Sequence, residues 1–120
     1  MVTIITFGYL HAPPPAAHII VDLRHHFRDP HVSPDLRYMT ARDEAVRQAV
    51  MTTPGIAAVV EATAAMVRAY QAGPSAEPVT VAIGCAGGRH RAATVGMALA
   101  AELEGVTLIH RDLDKAVVHR

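Results

Sequence analysis

The sequence predicts a single small three-layer α/β domain, in which a mostly parallel sheet of about four strands has helices on its faces. Three observations predict it. The chain has 120 residues, which fits one domain. Hydrophobic residues make up 51% of it, which excludes a disordered chain. Short β-branched runs alternate with segments of helical period, a pattern typical of parallel sheets covered by helices. We therefore expect one domain over residues 1–120.

The first part of the chain predicts two strands and a long loop. Val2–Phe7 is a β-branched and aromatic run that indicates a buried strand, and His18–Val21 indicates a shorter one. Prolines 13–15 form a stiff connector between them. Residues 23–40 contain two further prolines and no clear period, so we expect a long loop. Loops of this length in compact domains are usually functional or disordered.

Two helices are predicted next. Thr40, with acidic residues after it, indicates the start of a helix that runs to about Met51. Thr53 as the cap and Pro54 in the first position indicate the start of a longer helix, which ends at Gly73 before a proline. Helical spacing predicts that one face of this helix is apolar and consists of Ile56, Val59, Val60, Met66, Val67 and Tyr70, with Thr63 as its one hydroxyl.

The last part predicts a strand, a helix and a final strand. Val79–Ile83 is the clearest strand, and a glycine-rich loop separates it from a helix over about His90–Glu104. Gly105 caps that helix, and Val106–Ile109 indicates the last strand. Ligands of parallel sheets bind outside the carboxyl ends of the strands, so we expect a site where the strands end near residues 7, 22 and 83.

Composition excludes several classes of protein. Eleven Lys and Arg balance eleven Asp and Glu, which excludes a uniformly basic nucleic-acid binder but not a local basic patch. No apolar run reaches the ~18 residues of a membrane span, and the first residues lack the basic start of a secretory signal. The one cysteine, Cys85, has no partner for an internal disulfide. We therefore expect a cytoplasmic protein with no membrane partner.

The loop of residues 84–91, GCAGGRHR, is the sharpest functional signal. Its three glycines let the backbone approach a ligand closely, and the helix after it presents free N–H groups and a positive dipole end. Arg89 and Arg91 add two positive charges, and His90 would donate to a phosphate or cap the helix. The pattern predicts a phosphate cradle; the alternative is a tight strand-to-helix connection. It is not a Walker loop, because GxxxxGK[ST] is missing.

The same loop has the CxxGxxR spacing of cysteine-dependent phosphatases, from Cys85 to Arg91. A cysteine at a helix N-terminus beside arginine gains nucleophilic character. However, Gly84 and Ala92 stand where those enzymes usually have histidine and a hydroxyl residue, and Asp29 is only a weak candidate for a general acid. A phosphatase is therefore the alternative to a binding domain, and a small side chain that fills a tight loop is the structural explanation of the cysteine.

The region after the second predicted strand contains further candidates. His25, His26 and His31 suggest a metal, but their spacing is not specific and no second cysteine completes a site. We expect exposed loop histidines and no metal. Asp22 and Arg24 lie on the expected ligand side of the sheet. Arg24 would meet an anion and Asp22 would orient it, unless the two form an ordinary surface ion pair.

Four stretches, in order along the chain, match one known pattern. They are Phe7-Gly8-Tyr9 with His11; Asp22-Leu23-Arg24 with Asp29-Pro30-His31, Leu36-Arg37 and Thr40; Val81–Arg91; and His110–Lys115. The third, VAIGCAGGRHR, is the most specific and is similar to VAIGCTGGKHRS. Together they resemble the C-terminal domain of the RapZ/YvcJ family of bacterial RNase adaptor and nucleotide-binding proteins. The resemblance covers about residues 4–115, nearly the whole chain.

The resemblance implies an α/β domain with a ligand pocket. In that family the domain is associated with RNA binding and with sensing an amino-sugar phosphate. The matching positions here are Cys85, Gly87, Gly88, His90, Arg91 and His31, with Arg24 and Asp22 beside them, and the predicted cradle adds Ala86 and Arg89. Full-length members also have an N-terminal P-loop kinase-like domain. We expect that domain to be absent here, so the resemblance does not imply ATP or GTP hydrolysis for this chain.

Several positions depart from the family pattern. Ala86 and Ala92 replace Thr and Ser, which removes two hydroxyl donors to a phosphate. Leu10 replaces a lysine and the AVVHR ending replaces a lysine-rich run, which weakens RNA binding more than anion binding. The leading hypothesis is a non-enzymatic domain that binds an amino-sugar phosphate over residues 84–91 with no cofactor. RNA, a ribonuclease, a second copy of the chain and a separate P-loop protein are the other partners under consideration.

Overall fold

Four parallel strands and three helices form the domain in the computed structural model, which describes residues 1–120. The strands are β1 (Val2–Gly8), β2 (Ile19–Asp22), β3 (Val79–Cys85) and β4 (Val106–His110), in the sheet order β2-β3-β1-β4. The helices are α1 (Glu44–Met51), α2 (Ile56–Gln71) and α3 (Arg91–Glu102). The expected small α/β domain with a mostly parallel sheet is confirmed.

The register of the strands builds one edge of the sheet from their carboxyl ends. Gly8 of β1 lies beside Cys85 of β3, and Asp22 of β2 lies beside Gly84. The chain returns from β2 to β3 through α1 and α2, and from β3 to β4 through α3. The segments after β1, β2 and β3 therefore meet at the edge where open parallel sheets bind ligands.

One continuous apolar core joins all three helices to one face of the sheet. Successive strand residues face opposite sides, so every second residue of each strand enters this core. Its fully buried members include Ile4, Val81 and Ile83 of the strands, Val50 of α1, Ile56 and Val67 of α2 and Leu99 of α3. Each such side chain contributes roughly 1.5–3 kcal/mol relative to an exposed one.

The segment between β1 and β2 covers the other face of the sheet near its carboxyl edge and forms the third layer. Phe7 is buried there, and its ring centroid lies 4.8 Å from that of Tyr9. Arg111 lies over Phe7 and donates hydrogen bonds to the carbonyl oxygens of Ala12 and Pro13. These contacts hold the proline-rich connector in place, although it forms no helix or strand.

Helix α1 begins later than the sequence predicts. Its cap is Asp43 rather than Thr40. The Asp43 carboxylate accepts the N–H of Thr40, and the Thr40 hydroxyl accepts the N–H of Arg42. Residues 40–43 therefore form a turn that is stabilised by their own side chains. Such local hydrogen bonds from side chain to backbone compete with helix formation.

Helix α2 also begins later, after Gly55, whose φ of 95° lies in the left-handed region. The expected cap, Thr53, instead donates its hydroxyl to the carbonyl oxygen of Ala49 and so completes α1. The predicted apolar face of α2 is too wide: Met66 and Tyr70 are 48% and 47% exposed. The buried stripe is narrower, because α2 contacts the sheet and α3 along one line of residues 56, 60, 63, 64 and 67.

The remaining helix, α3, ends at Glu102, and Gly105 turns the chain into β4 with a positive φ instead of capping the helix. No single helix of the chain is long and apolar enough to cross a membrane. Helices α1 and α2 meet that length and composition only as a pair, and they are bent by 84° relative to each other.

Candidate functional site

Two backbone segments touch where β1 and β3 end, and only glycine fits at the contact. Gly88 has a φ of 78°, and a Cβ added to it would lie 2.9 Å from the nitrogen of Gly8 and 3.0 Å from Cβ of Asp112. A Cβ on Gly8 would collide with the carbonyl carbon of Gly87. These glycines shape the loop of residues 84–90 by close packing, which is part of what the sequence attributed to a ligand.

Asp112 holds this contact from the end of β4. Its fully buried carboxylate accepts the N–H of Gly8 at 2.7 Å and pairs with Arg111 at 2.8 Å and Lys115 at 2.7 Å. Burial opposes ionisation of this carboxyl, but the hydrogen bonds outweigh burial and lower the pKa of Asp112 to about 2. In the sequence Asp112 stands out only within the resemblance, and its signal there is an acid two residues after an edge strand.

A small pocket lies over the loop of residues 84–91. It is lined by Asp29, His31, Cys85, Gly87, Arg89, His90, Arg91, Val117, Val118 and Arg120. Six of the predicted site residues are therefore brought together, one from the long loop and five from the glycine-rich loop. The enclosed volume is about 10 Å³, which is room for about one water molecule.

Backbone donors at the start of α3 remain free beside this pocket. The N–H groups of Gly87, Arg89 and His90 donate to no acceptor within the chain. The Sγ of Cys85, by contrast, accepts the N–H groups of Gly88 at 3.3 Å and Ala92 at 3.4 Å. Free N–H groups at a helix N-terminus are the usual protein ligands of an anion.

Four predicted site residues lie outside the pocket. Arg24 donates two side-chain hydrogen bonds to Asp22, at 3.0 and 2.8 Å, and lies 3.6 Å over the ring of Tyr9. The hydrogen bond from Arg24 lowers the pKa of Asp22 to about 2. The pair is thus the surface ion pair that the sequence left as an alternative. Ala86 and Gly88 belong to the loop but line no part of the pocket.

Arg91 ties α3 to the long loop. Only 3% of its side chain is exposed. One terminal nitrogen donates to the carbonyl oxygens of Leu23, Arg24 and Phe27 at 3.0, 3.1 and 3.2 Å, and the other lies 3.2 Å from the carboxylate of Asp29. Both terminal nitrogens are therefore bonded within the protein, while its buried Nε has no partner.

Asp29 lines the pocket, although the sequence indicated it only as a weak candidate for a general acid and as part of the Asp29-Pro30-His31 stretch of the resemblance. One carboxylate oxygen pairs with Arg91 and with Arg120, the latter at 2.9 Å, and the other accepts the N–H of His31 at 3.1 Å. Its signal in the sequence was the Asp-Pro-His stretch. Nothing in the sequence indicated the other missed residues, which are Val117, Val118 and Arg120.

The two histidines of the pocket are neutral near pH 7. Burial lowers the pKa of both His31 and His90, and the positive charge of Arg120 lowers that of His31 further. The Nε2 of His90 lies 2.8 Å from the carbonyl oxygen of Met39. A carbonyl only accepts, so Nε2 carries the proton. The ring of His31 makes no hydrogen bond within the chain.

The remaining candidates for a metal do not meet. His25 and His26 are exposed and line no part of the pocket. No group of three or more His, Cys, Asp or Glu side chains is arranged to hold a metal ion. Three arginines and one aspartate line the pocket, so its net charge is positive and suits an anionic ligand such as a phosphate monoester.

Comparison with known proteins decides the family. Residues 1–114 match the family model described as the RapZ C-terminal domain. The chain belongs to the RapZ C-terminal domain family. Every pocket residue up to Arg91 lies within the matched range, whereas Val117, Val118 and Arg120 lie beyond it.

Curated relatives that contain this RapZ C-terminal domain are named nucleotide-binding proteins. The relative from Frankia alni is 37% identical over 94% of the chain and 41% of its own length. Relatives from Thermobifida fusca and Streptomyces coelicolor are each 36% identical, over 93% and 94% of the chain and 40% of their own length. The chain therefore spans about 40% of the length of the relatives it matches.

Proposed function

We propose that this chain is a ligand-binding regulatory domain that holds a phosphorylated small molecule, an amino-sugar phosphate, in the pocket over residues 84–91. The observation that carries this proposal is the set of free N–H groups of Gly87, Arg89 and His90 beside a surplus of arginine. Free backbone N–H groups at a helix N-terminus are recurring ligands of phosphate in proteins. Terminal nitrogens of the three arginines are bonded within the protein, and their positive charge favours an anion beside these N–H groups.

The other lining groups fit the rest of such a ligand. Asp29 is the one acid in the pocket, so its carboxylate would pair with an ammonium group. The unbonded ring of His31 would donate to or accept from a sugar hydroxyl. The names of the curated relatives support a phosphorylated ligand, because a nucleotide and a sugar phosphate share the phosphate group.

The test is isothermal calorimetry with glucosamine 6-phosphate on the folded His31→Ala variant. The ring of His31 lines the pocket and makes no hydrogen bond within the chain, so its loss should weaken binding about tenfold, the scale of one hydrogen bond, without lowering stability. His25→Ala is the matched control, because His25 is an exposed histidine outside the pocket. Equal affinity of the two variants would mean that the ligand does not bind in this pocket.

Two further titrations identify the ligand class. Glucose 6-phosphate has a hydroxyl where glucosamine 6-phosphate has the ammonium group and is otherwise the same, so weaker binding of glucose 6-phosphate would support the role of Asp29. Equal binding of the two sugars would remove the amino group from the proposal. Tighter binding of adenosine monophosphate than of either sugar would replace the sugar by a nucleotide.

A cysteine-dependent phosphatase is the second candidate. The observation that favours it is the position of Cys85, whose Sγ lines the pocket and accepts two N–H groups at the start of α3. Against it, both terminal nitrogens of Arg91 are bonded to carbonyl oxygens and to Asp29 instead of facing a phosphate. Turnover of an aryl phosphate that Cys85→Ser abolishes would support the enzyme, and no turnover by the unsubstituted protein would exclude it.

A further inference from the structure

Residues 116–120, the tail segment, cover the pocket. Val117 and Val118 are half-buried in its lining, and a terminal nitrogen of Arg120 lies 2.9 Å from the carboxylate of Asp29. With the tail segment in this place the pocket encloses about 10 Å³. That volume suits about one water molecule, and a sugar phosphate is much larger. A ligand of the proposed class therefore enters only when part of this lining has moved.

We propose that the tail segment, residues 116–120, is an autoinhibitory strap: it occupies the ligand pocket of the domain and is displaced when the phosphorylated ligand binds. The guanidinium of Arg120 pairs with Asp29, where the ammonium of an amino sugar would pair, and the two valines fill space that the sugar would fill. The strap thus rests on the proposed function and adds a regulation to it.

The attachment of the strap is suited to release. Lys115 is its fixed end, because its N–H donates to the carbonyl oxygen of Asp112 and its own carbonyl accepts from Arg89 at 2.7 Å. Beyond Lys115, residues 116–120 form no regular structure and no hydrogen bond with the rest of the chain apart from the ion pair of Arg120. Segments with so few buried contacts open locally without unfolding the protein.

The ion pair that fastens the strap is weak in water. The side chains of Arg120 and Asp29 are 26% and 23% exposed, so salt screens their attraction. Asp29 keeps an ion pair when Arg120 leaves, because Arg91 pairs with the same oxygen. Raised ionic strength should therefore favour the open strap in the unsubstituted protein.

The first test needs no ligand. Cys85 is the one cysteine, is 2% exposed and lines the pocket under the strap, so its reaction with a chromogenic disulfide reagent reports opening. A variant with Val117→Ser, Val118→Ser and Arg120→Ala should react at least about tenfold faster. If Cys85 reacts only while the strap is open, and the strap is open for about a tenth of the time or less, closure slows the reaction at least about tenfold. His119→Ala, an exposed residue of the same segment, is the control and should react like the unsubstituted protein.

Equal labelling rates in the triple variant and the His119→Ala control would overturn the strap. Added salt is the second check: it should raise the rate of the unsubstituted protein and leave that of the triple variant unchanged. A salt effect of equal size in both would also overturn it. Circular dichroism before labelling shows that both variants are folded, so that global unfolding does not explain the exposure of Cys85.

The second test uses calorimetry with glucosamine 6-phosphate. The triple variant should bind about tenfold more tightly than the unsubstituted protein, because no binding energy is used to displace the strap. Equal or weaker binding, with the effect of His31→Ala intact, would overturn the strap and leave the proposed function standing. Faster labelling without binding of this compound to either protein would instead overturn the proposed function and the ligand-displacement step, while closure of the pocket by the strap would stand.

Discussion

Two arginine–aspartate pairs lie at the carboxyl edge of the sheet and differ in how deeply they are buried. Arg24 and Asp22 have 35% and 34% of their side chains exposed. Arg91 has 3% of its side chain exposed and bonds to three carbonyl oxygens besides Asp29. The first pair is largely solvated and the second organises a loop. Burial, and not the presence of a pair, decides how much each arginine contributes to the free energy of folding.

The largest expected effect is the loss of stability in Arg91→Ala. The substitution leaves three carbonyl oxygens without their donor and removes one of the two arginines that pair with the half-buried Asp29, so the free energy of unfolding should fall by about 3–5 kcal/mol. Arg24→Ala should lower it far less, because its pair is solvated. Urea denaturation followed by circular dichroism measures both.

Arg91→Lys sharpens the same comparison. Lysine keeps the charge but has one nitrogen where arginine has three, so it should recover only part of the loss. Equal losses in Arg91→Ala and Arg24→Ala would contradict the contrast between the buried and the solvated pair. The result also decides how ligand binding is tested, since an affinity measured on an Arg91 variant would report folding as well as binding.

Two aspartates extend the contrast to pH. The pKa values of both Asp112 and Asp22 are lowered to about 2 from 3.8. A lowered pKa means that the folded state favours the carboxylate, so each contributes stability above about pH 4 that is lost as the pH falls towards 2. Asp112 is fully buried whereas Asp22 is about one-third exposed, so most of the acid sensitivity should come from Asp112.

Substitution of each aspartate by alanine measures this difference. Asp112→Ala should lower the free energy of unfolding at pH 7 by about 2–3 kcal/mol, because it leaves the N–H of Gly8 and two cations unpaired. It should also flatten the fall in stability between pH 4 and pH 2. Asp22→Ala should change the stability by less than about 1 kcal/mol. A flatter acid profile in Asp22→Ala than in Asp112→Ala would contradict the assignment.

The sequence predicts those parts of the fold that depend on neighbouring residues. The strands follow from β-branched runs such as Val79–Ile83, and the five pocket residues of the glycine-rich loop follow from their spacing after β3. The helix starts were wrong because Thr40 and Thr53 have the chemistry of caps but make other hydrogen bonds in the folded chain. Propensity is a weak guide where such tertiary and turn contacts compete.

The part of the site that could not be predicted is built from residues far apart in the sequence. The pairing of Asp29 with Arg120, and the position of Val117 in the pocket, depend on how the chain returns from β4 over the loop of residues 84–91. No local pattern encodes such a contact. For the same reason the sequence could not distinguish Arg24 from the residues that line the pocket. In the folded chain Arg24 lies over the ring of Tyr9 instead.

The smallest expected effect is that of the solvated pair on ligand binding. Arg24→Ala should change the affinity for glucosamine 6-phosphate by less than about twofold, as is usual for surface substitutions away from a site, because Arg24 pairs with Asp22 outside the pocket. His31→Ala, measured under the same conditions, gives the scale of a pocket residue. A loss in Arg24→Ala as large as that in His31→Ala would mean that Arg24 leaves Tyr9 and Asp22 to contact the ligand. The contrast between the two pairs would then hold for stability alone, and the carboxyl edge of β2 would belong to the binding site, as the sequence alone had suggested.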